Sequence, residues 1–137
     1  MRKKVLGICL IACLVFASAI SAYAAVPDTL EPLAQYHFSA SASLTISSSG
    51  LAKPSGSIMG IAGTTTKTTV HLYLQRYEDG SWVDVDDWLV SNNSVTTSAA
   101  GSKQVEKGYK YRAKASCYAY CGSDYERVIR YSDEVKY

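Results

Sequence analysis

The chain has 137 residues and a formal net charge of +2 at pH 7, and 47% of its residues are hydrophobic. Three basic residues lie within the first four positions, so residues 25–137 hold 11 basic and 12 acidic residues. A domain this close to neutral lacks the basic field of nucleic-acid-binding proteins, which argues against nucleic acid as a partner. The 113 residues from Ala25 onward are enough for one domain with a hydrophobic core.

The first 24 residues have the three parts of a secretory signal peptide. Residues 1–4 are cationic, residues 5–19 are apolar apart from Gly7 and Ser18, and residues 22–24 form a small-x-small cleavage site. An uncleaved membrane anchor is one alternative, but a spanning helix needs about 20 apolar residues. A lipoprotein signal at Cys13 is another, but the apolar run continues past that cysteine. We therefore expect a secreted, extracellular protein, released or held at the cell surface non-covalently, with no membrane segment after cleavage.

Residues 25–41 contain two prolines and no clear hydrophobic period. They are predicted to form an extended N-terminal leader, ordered only if Leu33, Tyr36 or Phe38 docks on the domain. The folded domain itself is expected over residues 42–137.

Seven strand-like segments follow, separated by turn signals. The clearest is residues 68–77, in which Val70, Leu72 and Leu74 face one side, and an Asp79-Gly80 turn leads to its partner strand. Glycines 56 and 60 inside the second segment indicate a bulge or close backbone packing. The predicted strands are 43–48, 51–62, 68–77, 82–90, 94–99, 108–121 and 126–137. They are expected to cover about half of residues 42–137, with no helix outside the signal segment.

Strands at this spacing predict an all-β, antiparallel immunoglobulin-like or fibronectin III-like sandwich of about seven strands, ordered A-B-C-C′-E-F-G. Two short stretches resemble fibronectin type III domains at the level of pattern, which supports the fold and not a function. Residues 105–115 resemble the entry to strand F, and residues 132–135 resemble the end of strand G. The first resemblance implies that Tyr111 is a tyrosine corner, with its ring inward and its hydroxyl bonded near residues 105–108.

A longer resemblance covers nearly all of the chain after the signal segment. Its landmarks, in order, are Ser43-Leu-Thr-Ile-Ser, Gly56-Ser-Ile-Met-Gly60, Leu74-Gln, Gly80-Ser-Trp82, Trp88, Gly108-Tyr and Tyr111-Arg-Ala-Lys-Ala115. This pattern is similar to a family of small secreted β-sandwich proteins from Gram-positive, clostridial-type bacteria. The resemblance implies export and a β-sandwich and implies no activity. The chain departs from the family pattern at Cys117 and Cys121.

Only two of the four cysteines, Cys117 and Cys121, remain after signal cleavage. In a continuous strand their α-carbons lie about 13 Å apart, whereas a disulfide needs roughly 4.4–6.8 Å. We therefore expect two reduced, largely buried cysteines. A local disulfide is possible if the chain turns within residues 118–120, and two thiols are too few for a structural zinc site.

No constellation of catalytic residues stands out, so the protein is not expected to be an enzyme and no cofactor or metal is implied. Of the two histidines, His37 lies in the expected leader and His71 has no carboxylate at strand spacing, and the sequence contains no Gly-x-Ser-x-Gly nucleophile motif. Asp84, Asp86 and Asp87 lie close together, but a hairpin strand offers no cleft for a carboxylate pair. Their spacing matches no Ca²⁺ loop, and they are interpreted as charges that protect an edge strand from pairing.

The best candidate for a binding site is the outward side of strands C, F and G. If these strands are neighbours, four tyrosines share that side with Arg112, Lys114 and Arg130. The predicted ligand-binding residues are Tyr73, Tyr77, Arg112, Lys114, Tyr118 and Tyr120. Rings beside cations suit glycans or anionic wall polymers; equally, tyrosines and charges are ordinary residues for a half-exposed sheet. Trp82 and Trp88 are expected in the core or between the sheets.

These observations predict a secreted, non-enzymatic binding or interaction module. Its partner is expected to be an extracellular protein or a glycan or cell-wall polymer. The alternative is a secreted antagonistic peptide or inhibitor, which a rigid, exposed loop at one end of the sandwich would favour. An aromatic outward face would favour glycan binding.

Overall fold

The computed structural model describes residues 35–137, so the expected signal peptide and most of the expected leader lie outside the described residues. Nine strands make up 71% of this part of the chain. They are β1 His37–Ile46, β2 Leu51–Gly60, β3 Lys67–Glu78, β4 Ser81–Asn92, β5 Thr96–Ala100, β6 Lys103–Gln104, β7 Lys110–Cys121, β8 Asp124–Tyr131 and β9 Val135–Lys136. Within residues 35–137 there is no helix, and hence none long and apolar enough to span a membrane. The strand content exceeds the predicted half because the longer strands are joined by tight turns.

The strands form two antiparallel sheets. Sheet 1 has the order β1-β2-β5, with β6 also pairing β2, and sheet 2 has the order β4-β3-β7-β8, with β9 also pairing β7. When the seven long strands are lettered in chain order, these sheets are A-B-E and C′-C-F-G. The predicted all-β, immunoglobulin-like sandwich is therefore confirmed.

The core between the sheets is built from the inward side chains of β3 and β7. Fully buried residues here are Val70, Leu72, Leu74, Ala113, Ala115, Cys117 and Ala119. The alanines leave room for the facing sheet, and Gly56 of β2 lies so close that a Cβ on it would be 2.9 Å from the Cβ of Ala115. The register of β2 is regular through Gly56, so this glycine serves close packing rather than a bulge.

Tyr111 is the predicted tyrosine corner, and the structure confirms it. Its ring is fully buried, and its hydroxyl donates a 2.7 Å hydrogen bond to the carbonyl oxygen of Glu106. Burial is the main reason that the pKa of the Tyr111 hydroxyl is raised. The bond closes the 105–109 connection onto β7 and fixes where that strand enters sheet 2.

The first strand begins earlier than the sequence indicated. Residues 37–41, assigned to the leader, belong to β1, and Tyr36 packs against the core. The carboxylate Oε2 of Glu126 accepts hydrogen bonds from the backbone amides of Gln35 at 3.0 Å and Tyr36 at 2.9 Å. This contact joins the start of sheet 1 to β8 of sheet 2. Leu33 and the side chain of Phe38 lie outside the described residues.

The last predicted strand, residues 126–137, is two strands separated at residues 132–134. Ser132 bridges the gap because its hydroxyl accepts a 2.8 Å bond from the Ala113 amide, while its own amide donates to the Ala113 carbonyl at 2.9 Å. The chain thereby stays attached to β7 without continuing the ladder of β8.

Candidate functional site

The outward side of sheet 2 carries aromatic rings on each of its four long strands and cations on three of them, β3, β7 and β8. The register places Tyr73 beside Lys114 and Gln75 beside Arg112 across β3 and β7. All six predicted binding residues lie on this side, together with others from β4 and β8. We call this surface the aromatic face, defined by Tyr73, Tyr77, Trp82, Arg112, Lys114, Tyr118, Tyr120, Tyr125, Arg127 and Tyr131.

One end of the aromatic face is a cluster of three tyrosines. The ring centroids of Tyr118 and Tyr120 are 6.4 Å apart, and Tyr125 of β8 lies 5.9 Å from the first and 5.6 Å from the second. The ammonium of Lys67 lies 5.1 Å from the centroid of Tyr120, and the guanidinium of Arg127 lies 5.9 Å from that of Tyr118. Tyr125 is 60% exposed, so this cluster offers apolar ring surface to solvent.

The middle of the aromatic face is organised around Tyr73. The Lys114 ammonium lies 5.3 Å from its ring centroid, and the His71 ring stacks on it at 4.1 Å. The Tyr73 hydroxyl is 2.8 Å from Nδ1 of His71, whose Nε2 is 2.7 Å from a carboxylate oxygen of Asp87. Burial and the carboxylates of Asp84 and Asp87 raise the pKa of Tyr73. Tyr73 is therefore held as a neutral phenol in a hydrogen-bonded chain.

At the other end, the guanidinium of Arg112 lies between two rings. Its Cζ is 4.2 Å from the centroid of Trp82 on β4 and 4.1 Å from that of Tyr131 on β8. Its Nε donates a 2.9 Å bond to Oε1 of Gln75, and Nε2 of Gln75 donates to Asp84 at 2.8 Å. Contacts of this kind each contribute about 0.5–1 kcal/mol at exposed sites, and together they fix one orientation of the guanidinium.

Tyr77 extends this end of the aromatic face. The Lys110 ammonium lies 4.7 Å from its ring centroid, and the ring of Trp82 is 5.2 Å away. Lys110 also forms a 3.2 Å ion pair with Glu134. The charge of Lys110 is therefore balanced locally, unlike that of the neighbouring Arg112.

Four cations of the surface are not neutralised by carboxylates. Within residues 35–137, no ion pair involves Lys67, Arg112, Lys114 or Arg127. Each instead lies against an aromatic ring of the aromatic face. Rings hold a cation in place without cancelling its charge, so these four side chains keep their positive charge.

Three expectations about these strands were wrong. Arg130 lies opposite Ala115 on the core side of sheet 2, and Arg127, opposite Tyr118, is the outward arginine of β8. Trp82 lies on the aromatic face, whereas Trp88 packs against the core as expected. His71 does have a carboxylate beside it, because Asp87 reaches it from β4.

One irregularity in β4 explains why the two tryptophans lie on opposite faces and why Asp87 lies beside His71. β4 has an irregularity opposite Leu74 and Gln75, where Asp86 pairs with the first and Asp84 with the second, leaving Val85 unpaired. An extra residue shifts the phase of the two-residue alternation, so positions on either side of it exchange faces. Uninterrupted alternation would have put Trp82 and Trp88 on the same face.

The contributions of Gln75, Trp82, Tyr125, Arg127 and Tyr131 were missed. The two-residue Asp79-Gly80 turn places Trp82 directly opposite the outward-facing Tyr77. Following the alternation through this turn would have indicated Trp82. The short Gly122-Ser123 turn fixes Tyr120 opposite Tyr125, so the same reasoning applied through this turn would have found the three β8 residues.

The acidic residues of β4 lie on an edge strand of sheet 2, as expected. Asp86 forms a 3.5 Å ion pair with Lys103, and Asp84 and Asp87 bind the network described above. No group of three His, Cys, Asp or Glu side chains within residues 35–137 is arranged to hold a metal ion. Asp84 and Asp87 hold side chains at the margin of the aromatic face, whereas Asp86 pairs with Lys103 of sheet 1.

Cys117 and Cys121 are both free thiols. Cys117 is buried in the core, which raises the pKa of its thiol to about 11. Cys121 is half-buried at the end of β7, opposite Asp124, so it is less buried than expected. Both belong to one continuous strand, which keeps the two sulfurs apart.

Comparison with known proteins gives one structural likeness and no family. No protein family and no curated protein matches this sequence. Among solved structures, the chain is similar to the CARDB domain of a protein from Pyrococcus furiosus, crystallised in complex with di-metal ions. The two are 13% identical with a TM-score of 0.45, and the match covers 74% of this chain and 89% of that one. A likeness at this level carries no argument about ligands, and the fold assignment rests on the strand order.

Proposed function

We propose that this protein is a secreted, non-enzymatic binding module that attaches to an extracellular glycan or cell-wall polymer through the aromatic face. The observation that carries the proposal is the set of four un-neutralised cations held against rings on one sheet. Rings and cations fixed on strands lose little conformational entropy when they bind, which is why such residues serve as anchors.

Export is part of this proposal and rests on the sequence. The cationic, apolar and small-x-small segments of residues 1–24 are those of a signal peptide. The resemblance to secreted proteins of Gram-positive, clostridial-type bacteria agrees with it. A bacterial wall polymer is then the ligand that such a protein meets first.

The chemistry of the surface favours binding over catalysis. The Tyr73–His71–Asp87 chain has the order of a nucleophile, base and carboxylate, but the pKa of its phenol is raised rather than lowered. An activated nucleophile needs the opposite shift. These three side chains also lie on an open sheet face rather than in a cleft that would exclude water.

The inhibitor alternative finds less support. An inhibitory loop has to project from the sandwich, and the connections between strands within residues 35–137 are all short. The β3–β4 and β7–β8 connections contain two residues each. The aromatic face, by contrast, brings rings and cations together on one sheet, which favours the binding module.

A pull-down with insoluble cell walls of a Gram-positive bacterium tests the proposal. The purified secreted protein is expected to sediment with the walls, and the double variant Tyr118→Ala/Tyr120→Ala is expected to remain largely in solution. The matched control is Thr96→Ala/Ser98→Ala, which alters two exposed residues on the outward side of sheet 1. It should sediment like the unmodified protein.

Thermal unfolding of each variant separates loss of binding from loss of fold. If the tyrosine variant is destabilised, Lys67→Gln/Arg127→Gln probes the same cluster without removing a ring. The proposal is contradicted if the unmodified protein does not sediment, or if the control variant loses as much binding as the folded variants of the aromatic face.

A further inference from the structure

The guanidinium of Arg112 is fixed on three sides by protein. Trp82 and Tyr131 cover it at 4.2 and 4.1 Å, and its Nε is bound to Gln75. Gln75 is only 6% exposed and is itself held by Asp84, so its acceptor oxygen cannot turn away from Arg112. An arginine on an open sheet would ordinarily keep most of its rotamer freedom, which is lost here before any ligand binds.

The remaining edge of the guanidinium has no protein partner. Within residues 35–137, neither terminal nitrogen of Arg112 has a hydrogen-bond acceptor or a carboxylate. The planar pair of N–H donors on this edge matches the two oxygens of a carboxylate or phosphate group. A rigid guanidinium that is charged and only half-exposed is thus prepared for a bidentate oxyanion.

The same contacts disfavour a neutral sugar at this position. Stacking of a pyranose needs the free face of a ring, but Arg112 occupies a face of both Trp82 and Tyr131. Tyr77 packs against Trp82 as well, and Lys114 lies over the ring of Tyr73. A sugar would therefore compete with these cations for the ring faces, whereas within residues 35–137 the terminal nitrogens of Arg112 have no protein partner.

A second cation, Lys114, lies beside Arg112 along the outward side of β7. Lys114 is two residues from Arg112 on the same side of β7, which corresponds to roughly 6.6 Å. No carboxylate within residues 35–137 forms an ion pair with it. A linear polymer whose anionic groups recur at a similar interval can contact both cations in turn.

We propose that Arg112 is the anchor of an oxyanion subsite, and that the ligand of the aromatic face is an anionic polymer of the polyol-phosphate or uronic-acid class. This inference rests on the proposed function and narrows its ligand. Arg112 binds one phosphodiester or carboxylate in a bidentate manner, and Lys114 binds the next anionic group along the chain.

The test measures affinity of the purified secreted protein for three soluble probes: poly(glycerol phosphate), polygalacturonate and neutral dextran. We expect binding to the anionic probes that weakens with added salt, and none to dextran. The preferred anionic probe distinguishes a phosphate source from a carboxylate source. Four variants are compared: Arg112→Gln, Arg112→Lys, Lys114→Gln and, as the control, Lys53→Gln on the outward side of sheet 1.

Arg112→Gln is expected to weaken binding by about tenfold or more, the usual effect of losing a charge-assisted bond. Arg112→Lys retains the charge but not the planar donor pair, so it should lose most of the same affinity. Lys114→Gln should have a smaller effect, and Lys53→Gln almost none. Thermal unfolding confirms that each variant is folded.

Equal binding of dextran contradicts the inference, as does an Arg112→Gln or Arg112→Lys protein that binds no more weakly than Lys53→Gln. Either outcome leaves the proposed function standing, because attachment still occurs. Failure of all three probes together with failure of the wall pull-down contradicts both proposals. Sedimentation with walls but no binding to either anionic probe contradicts the oxyanion subsite alone.

Discussion

Glu126 in β8 holds His37 at the start of β1, with the carboxylate oxygen Oε2 3.0 Å from Nδ1 of the histidine. The geometry at this ring nitrogen does not meet that of a hydrogen bond, so the backbone amides are the hydrogen-bond donors to this carboxylate. The same oxygen accepts bonds from the backbone amides of Gln35 and Tyr36. A single carboxylate thereby connects the edge strands of the two sheets.

This contact predicts a loss of stability in acid. Burial alone would raise the pKa of Glu126, but the amide of Tyr36 and the contact with His37 outweigh it, and the pKa lies below its ordinary value of 4.5. A depressed pKa stabilises the fold fully above the ordinary value, and this stabilisation is lost as the pH falls through the folded value. The free energy of unfolding should therefore fall on acidification below about pH 4.5.

Glu126→Gln is the matched control, because the amide oxygen can still accept the backbone bonds. The difference in stability between the two proteins, measured by urea unfolding from pH 6 to pH 3, should shrink as the pH falls. A difference that stays constant across this range would show that the charge of Glu126 contributes nothing.

The Tyr111 hydroxyl supplies a second prediction. Tyr111→Phe removes the bond to Glu106 but keeps the ring in place, so it should cost about 0.5–1.5 kcal/mol of unfolding free energy, the net value of one hydrogen bond. The dependence of that free energy on urea should be unchanged. Tyr77→Phe, at an exposed ring, is the control and should be nearly neutral. If Tyr111→Phe and Tyr77→Phe lower the free energy of unfolding equally, the hydrogen bond from Tyr111 to Glu106 is not a specific source of stability.

The fold was predictable from the sequence because it depends on local signals. Alternation in residues 68–77 assigned Val70 and Leu72 to the core, and the Asp79-Gly80 turn fixed the hairpin of β3 and β4. Tyr111 was found because a corner has a short sequence pattern. Each of these signals acts within a few residues of the chain.

The aromatic face was predictable only in part, because its assembly depends on long-range register. Tyr73 and Lys114 were assigned to one surface by alternation together with the condition that their strands are neighbours, but other members of the face come from β4 and β8. The Asp79-Gly80 turn places Trp82 opposite Tyr77 on the outward side, and the irregularity at Val85, which no residue type there predicts, turns Trp88 toward the core. Arg130 was preferred to Arg127 because the pairing of β7 with β8 was not worked out through the turn.

Close packing between the sheets gives a third prediction. A Cβ at position 56 would lie 2.9 Å from the Cβ of Ala115, shorter than the contact real side chains adopt. Gly56→Ala should therefore destabilise the protein by about 1–3 kcal/mol, as overpacking does. Ala115→Gly makes space at the same point, so the double variant should recover much of the loss. Additive effects in this double-mutant cycle, measured by urea unfolding, would contradict the contact.

The two cysteines give a fourth prediction, which separates them by burial. In the native protein without residues 1–24, near pH 8, Cys121 should react with a thiol reagent such as dithionitrobenzoate, since it is half-buried at the end of β7. Cys117 should react only when the protein unfolds, because burial raises its pKa to about 11 and leaves almost no thiolate. Denaturant without reductant should release two thiols, and Cys121→Ser should abolish the native reaction while leaving one thiol in denaturant. A protein with no reactive thiol in denaturant would instead contain a disulfide, and native reactivity that survives in Cys121→Ser would mean that the core around Cys117 opens readily.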